Sequence, residues 1–300
     1  MCRFFVALIF AVLMANALLA QSNRERDIVY LHTDGVAMTM DVFVPEKPNG
    51  VGIIKIVSGG WKSRHARGNK PGFANPYIQQ GYTVFAVYHG SQPRYKVREI
   101  MGFMHRAVRF IRTNAQRWKI DPDRIGVTGS SAGGHLSLIL ATRGGPGDPA
   151  SKDPVERASS AVQCAGVFYP PTDYLNWGEP GDDAVGIGKQ EKWKPAFGAE
   201  SETAKGRQAL GRAMSPVYHI SNSTPPISVI HGGADPIVPL YQSEKFKKLA
   251  QSAGVPIELV IKKDAKHGWP NRQADEIQFL NWFNLHLLKS NSSNTQEKNK

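Results

Sequence analysis

The chain has 300 residues, of which 41% are hydrophobic and 21% charged, with 37 Lys and Arg against 25 Asp and Glu for a formal net charge of +12. That apolar fraction supplies one large core, and no linker, internal repeat or low-complexity block divides the chain ahead of its polar tail. The 2 cysteines offer no disulfide framework and no Cys/His cluster at zinc-ligand spacing, which leaves open only metal sites built from His, Asp and Glu on distant loops, and the scattered basic residues carry no nucleic-acid motif.

In chain order, Arg3 precedes an apolar run, 4–13, that is too short to span a bilayer, and Ala15-Asn16-Ala17 and Leu18-Leu19-Ala20 offer small-residue cleavage sites. Residues 1–20 therefore read as a signal peptide, which predicts a secreted or periplasmic protein with no stable membrane insertion after cleavage. Cys2 leaves with that segment, and Cys164 remains as a small apolar residue inside a strand. Runs at 28–31 and 38–44 read as an antiparallel pair turning at Asp34-Gly35. The runs 53–57, 83–87, 125–128, 161–168, 227–231 and 257–261 read as parallel strands, and helical periods at 97–119, 136–141, 241–253 and 275–288 fill the intervals. The expectation is an α/β fold, a mostly parallel sheet of about eight strands covered by helices on both faces, in one domain over 27–289. Residues 170–215 lose strand character and gain Tyr174, Trp177, Trp193 and Phe197, a short cap-like insertion whose aromatics either line a pocket or pack against the sheet. Residues 290–300 are polar and expected to be disordered.

Chemistry concentrates at Gly129-Ser130-Ser131-Ala132-Gly133, where a strand turns sharply into a helix. Such a turn exposes the Ser131 hydroxyl, and it aims the Ala132 N–H, with the helix dipole behind it, at a developing oxyanion. Asp235 follows the strand 227–231, and His267 follows the strand 257–261 by way of Lys266. The order Ser131, Asp235, His267 differs from the orders of the chymotrypsin and subtilisin folds. All three fall just past strands, at the carboxyl edge where open α/β sheets place ligands. Asp173, after the strand 161–168, is the alternative acid, and Asp264 lies close enough in sequence to pair locally with His267. Among the other histidines, His105, His135, His231 and His286 read as packing or hydrogen-bonding residues.

On these residues, together with His231-Gly232-Gly233-Ala234-Asp235, Val238-Pro239 and His267-Gly268-Trp269, the chain resembles the α/β-hydrolases of the serine esterase and lipase branch. It is similar to the bacterial acetyl, feruloyl and xylan-ester esterases related to hormone-sensitive lipase. The resemblance implies a secreted serine carboxylesterase with Ser131, Asp235 and His267 as its triad, acting on small-molecule or polysaccharide esters with short acyl, acetyl or feruloyl groups. It implies neither a cofactor nor a metal, and no nucleic-acid partner; no oligomeric state follows from it. Family members place His-Gly-Gly-Gly-Trp after an early strand, whereas here Val57 and Ser58 precede Gly59-Gly60-Trp61. The backbone N–H groups of Gly59 and Gly60 would then join Ala132 in the oxyanion hole, with Trp61 and Trp269 assigned to substrate binding. Two other readings share the fold: a peptidase of the prolyl-oligopeptidase type, whose propeller residues 21–52 are too few to form, and a catalytically silent binding protein.

Overall fold

The apolar runs fold into a single eight-stranded sheet in the computed structural model, which describes residues 23–288. The expected signal peptide, 1–20, and the tail, 290–300, lie outside the described residues. In chain order the strands are β1 (Asn23–Thr33), β2 (Val36–Val44), β3 (Gly52–Ile56), β4 (Thr83–Val87), β5 (Ile125–Ser130), β6 (Cys164–Phe168), β7 (Ile227–Gly232) and β8 (Ile257–Lys262). Their spatial order is β1-β2-β4-β3-β5-β6-β7-β8. β1 pairs antiparallel with β2, β2 antiparallel with β4, and every other pairing is parallel.

Strands buried on both faces need apolar side chains at every position, which is why the central strands read as continuous runs. The strand pleat sends successive residues to opposite faces. Ile53, Val84 and Ala86 enter one core cluster, whereas Ile54, Ile56, Phe85 and Val87 enter the other. Helices α1 (Val97–Thr113), α2 (Ala132–Arg143) and α4 (Tyr241–Ser252) cover the second cluster, with α3 (Ala204–Met214) beside them. Helix α5 (Glu276–Leu287) and the short turn Asn75–Ile78 cover the first.

Helix α1 buries Val97, Ile100, Met101, Met104, Val108 and Ile111, the three-and-four spacing of one helical face. The Glu99 carboxylate accepts the Lys96 N–H at 2.8 Å and closes its first turn. It ends earlier than the predicted 119, because the Asn114 side chain donates to the Phe110 carbonyl at 2.8 Å and competes with the helix for its last acceptors. A 3-10 turn, Ala115–Trp118, follows and stops at Lys119 with φ 54°. Cys164 is fully buried inside β6, where burial pushes its thiol up from the ordinary value, so it acts as a packing residue.

Phe283 of α5 is fully buried; its ring centroid stands 6.3 Å from that of Tyr77, and it packs where Gly126 leaves room on β5. We expect Phe283→Ala to lower the unfolding free energy by about 3–5 kcal/mol in urea titration; a loss under about 1 kcal/mol would show that α5 is not integral to the core.

Candidate active site

Ser131 caps α2 with φ 55° and ψ −123°, a left-handed backbone on a residue that has a side chain. Its N–H donates to the Phe168 carbonyl at 3.0 Å, and its own carbonyl accepts from His135 N–H at 2.8 Å, so both neighbours hold the strained residue in place. Close approach explains the flanking glycines: a Cβ on Gly129 would fall 2.4 Å from the Gly133 carbonyl oxygen, and one on Gly133 3.0 Å from that of Ile56.

The parallel registers align the carboxyl ends of β5, β6, β7 and β8, since Ser130 pairs with Phe168, Phe168 with Ile230 and Ile230 with Val260. The loops beyond those ends converge on one point. His267 Nε2 lies 2.9 Å from Ser131 Oγ, and His267 Nδ1 lies 2.7 Å from Asp235 Oδ2. The Asp235 side chain is fully buried and accepts from the N–H groups of Ile237 at 2.8 Å and Val238 at 3.0 Å. Burial alone would raise its carboxyl, but the bonds from His231, His267 and the two N–H groups win and hold it well below the usual carboxylate range. An ionised Asp235 accepts only, so Nδ1 of His267 carries the proton and Nε2 presents its lone pair to Ser131. His231 supports the acid from the other side, bonding Ser243 Oγ at 2.7 Å and the Val238 carbonyl at 2.9 Å.

The competing acids sit elsewhere. Asp173 is fully buried, but its carboxylate is taken by Lys245 at 2.6 Å, Asn176 at 2.9 Å and the Leu175 N–H at 3.0 Å. Asp264 is exposed in the turn after β8, and the His267 ring nitrogens bond Asp235 and Ser131 instead.

The stretch before Trp61 departs from the expectation in one respect. Gly59 N–H donates to the Lys62 carbonyl at 3.0 Å, and Lys62 N–H returns the bond at 3.2 Å, so the assignment of Gly59 as an oxyanion donor is corrected: a tight turn uses its N–H. Among the described residues, Gly60 and Ala132 N–H have no backbone acceptor. Bracing comes from residues the sequence did not single out. Ser63 Oγ donates to the Val57 carbonyl at 2.5 Å, Ser63 N–H donates to Ser91 Oγ at 2.9 Å, and Gln92 N–H donates to the Trp61 carbonyl at 3.1 Å. Trp61 is 2% exposed, donates from Nε1 to His135 Nδ1 at 3.3 Å, and packs on Tyr174, Trp193 and Phe197. Burial pushes His135 down to about 4, so it stays neutral and its other nitrogen donates to the Met214 carbonyl at 2.7 Å. Trp61 is thus mainly a buttress behind the loop with an edge on the cavity.

Ser131 and His267 open into a cavity of about 580 Å³ lined by Ser58, Gly60, Tyr169, Trp177, Trp193 and Ile237 among others. Trp269 is not part of that wall, a correction to its assignment. It donates to Asp275 Oδ2 at 2.6 Å and lies edge-on to Phe168 and Tyr169, behind the cavity beside a shallow depression. Of the insertion's aromatics, Trp177 and Trp193 reach the cavity, while Tyr174 and Phe197 are buried against Trp61. The sequence reading also missed Lys55 and Glu276, an ion pair at 2.7 Å in the cavity wall, with Lys55 also donating to the Phe73 carbonyl at 2.8 Å. Burial pushes the Lys55 ammonium down from its ordinary value, against the pull of the Glu276 carboxylate. A lysine inside the apolar run 52–56 was the available signal. Among the described residues no group of three His, Cys, Asp or Glu gathers to hold a metal ion.

A positive-φ serine between strand and helix, an acid after β7 and a histidine after β8 define the α/β-hydrolase architecture, with the three side chains in hydrogen-bond contact. Residues 40–249 match the BD-FAE family model, and the chain belongs to that family. It is 31% identical over 198 residues to the probable carboxylic ester hydrolase LipM of Mycobacterium tuberculosis, covering 65% of this chain and 43% of that protein. It is 24% identical over 277 residues to the acetylxylan esterase of Xylanibacter ruminicola, covering 92% of this chain and 50% of that protein. The chain spans about half the length of the curated relatives it matches. Its fold is similar to a truncated carbohydrate esterase from gut microbiota, at TM-score 0.75 and 22% identity over 90% of this chain and 98% of that one. It is also similar to an acetyl ester-xyloside bifunctional hydrolase from Caldicellulosiruptor lactoaceticus, at TM-score 0.70 and 25% identity over 89% and 95% of the two chains.

The depressed carboxyl of Asp235 carries a stability consequence. A group whose folded value lies below its unfolded value of about 3.9 stabilises the fold above that value, and the contribution disappears as pH falls toward the folded value. We expect the urea midpoint of the protein to fall on acidification below about pH 4, and to fall less steeply in Asp235→Asn; parallel acid slopes for the two proteins would contradict the assignment.

Proposed function

We propose that the chain is a serine carboxylic-ester hydrolase that acts on short acyl, acetyl or feruloyl esters of carbohydrates. The observation that carries the reading is the continuous hydrogen-bonded series from Ser131 through His267 to Asp235 at the mouth of a cavity. The relatives named as a carboxylic ester hydrolase and an acetylxylan esterase support the same class and the carbohydrate substrate.

In this mechanism His267 Nε2 takes the Ser131 hydroxyl proton as Oγ attacks the ester carbonyl. The Gly60 and Ala132 N–H groups donate to the carbonyl oxygen as negative charge develops on it, and Asp235 steadies the imidazolium. His267 then gives the proton to the leaving alcohol, and the acyl-enzyme remains on Ser131. Water, deprotonated by His267, releases the acid and restores the serine. The apolar run 4–13 with its small-residue cleavage sites supports an exported enzyme. The aromatic faces of Trp177 and Trp193 in the cavity wall support short or flat acyl groups over long chains.

The test is hydrolysis of 4-nitrophenyl esters from acetyl to dodecanoyl. We expect turnover confined to short chains, with kcat reduced about 10⁴-fold or more in Ser131→Ala and about 10³-fold in Asp235→Asn. Asp173→Asn breaks a buried ion pair away from the triad, so it should lower the Tm and leave kcat within about threefold. A folded wild type without activity, or full turnover by Ser131→Ala, would overturn the reading.

A further inference from the structure

The cavity wall holds four basic side chains, Lys55, Arg67, Lys70 and Arg272, and one carboxylate, Glu276. Glu276 is committed to Lys55. Among the described residues, no carboxylate forms an ion pair with Arg67, Lys70 or Arg272. The contrast with other parts of the surface is plain, where Arg24 pairs with Asp41, Arg106 with Asp153, Arg117 with Glu25 and Arg207 with Asp183.

The two guanidinium groups enter the cavity wall from different segments, Arg67 after β3 and Arg272 after β8. Arg67 lies against the loop that supplies Gly60, so close that a Cβ on Gly59 would come within 2.1 Å of its nitrogen. Arg272 lies over the rings of Phe168, at 4.7 Å, and Tyr169, at 5.8 Å, and the Tyr169 ring is itself 4.5 Å from the ring of His267. Stacking on aromatic faces orients the Arg272 guanidinium, and beyond the bond it gives the Tyr169 hydroxyl its forked N–H donors face a planar anion. Lys70 adds a third charge at the exposed rim.

Building on the ester-hydrolase reading, we propose that this cavity selects an ester that carries a carboxylate beside the scissile bond, held by the Arg67 and Arg272 guanidinium groups. The carboxylate belongs either to the alcohol, as in an acetylated uronic acid residue of an acidic polysaccharide, or to the acyl group, as in a dicarboxylic half-ester. The net charge of +12 attracts such a polyanion over a longer range. Planar forked donors suit a carboxylate better than a point charge does, so arginine rather than lysine is the functional choice at these two positions.

The test compares kcat/KM for two matched pairs: acetylated methyl glucuronoside against acetylated methyl glucoside, and monoethyl succinate against ethyl butyrate, each followed by acid release. We expect the wild type to favour the charged member of one pair by about tenfold or more at low salt, with the preference shrinking toward 0.5 M NaCl. The pair that shows the preference tells which side of the ester bears the carboxylate. Arg67→Gln and Arg272→Gln should each reduce the preference, mainly through KM, whereas Arg98→Gln, which removes the same charge from a position paired with Glu200, should preserve it. Calorimetric binding of D-glucuronate and of succinate to Ser131→Ala gives a readout that needs no turnover, and Arg272→Gln on that background should weaken whichever anion binds. Hydrolysis of the neutral esters with no charge preference would overturn the proposal and leave the esterase intact. Failure to hydrolyse 4-nitrophenyl acetate would instead overturn the esterase.

Discussion

The whole site depends on one backbone conformation, the left-handed φ of Ser131 between β5 and α2. A residue with a side chain reaches that region at a cost of about 1–3 kcal/mol, so the surroundings must hold it there. They do so by removing side chains where the turn is tightest, at Gly129 and Gly133, and by bonding Ser131 N–H to the Phe168 carbonyl on the neighbouring strand. In return the turn lifts the Ser131 hydroxyl off the sheet edge and directs the first N–H groups of α2 toward the same space. Strand, strain and helix dipole become a single device, and the remaining residues are positioned relative to it.

Around that turn the polar groups are arranged so that each has one available role. Asp235 is ionised because four donors surround a fully buried carboxylate, and its ionisation fixes which nitrogen of His267 holds the proton. His135 is neutral because burial outweighs its single backbone bond, and a neutral ring can accept from Trp61 and donate to Met214 together. The two histidines thus take different roles from two environments: His267 has a buried carboxylate beside it, and His135 is enclosed by aromatic rings.

Most of the fold was legible because its central strands are buried on both faces and their apolar runs are bounded by turns. The expected runs at 83–87, 125–128, 227–231 and 257–261 appear as β4, β5, β7 and β8, with ends moved by no more than two residues. The meeting of Ser131, Asp235 and His267 was legible because each stands just past such a run. What the sequence hid was side-chain commitment. Nothing in Gly59-Gly60-Trp61 reveals that Gly59 N–H bonds back to Lys62, or that Trp61 turns inward against Tyr174 and Phe197 while Trp269 faces away from the cavity. Nor could spacing join Lys55 to Glu276, which are 221 residues apart and meet only because α5 packs over β5 and β6, bringing its first residue to β3.

The central claim is that Ser131 is a nucleophile activated by His267. A fluorophosphonate, which bonds only to an activated serine oxygen, tests it without assuming any substrate. Peptide mass spectrometry of the labelled protein is expected to find one equivalent of adduct, on the peptide that contains Ser131, with labelling lost in His267→Gln. A folded protein that takes up no label, or carries it on another serine, would contradict the account.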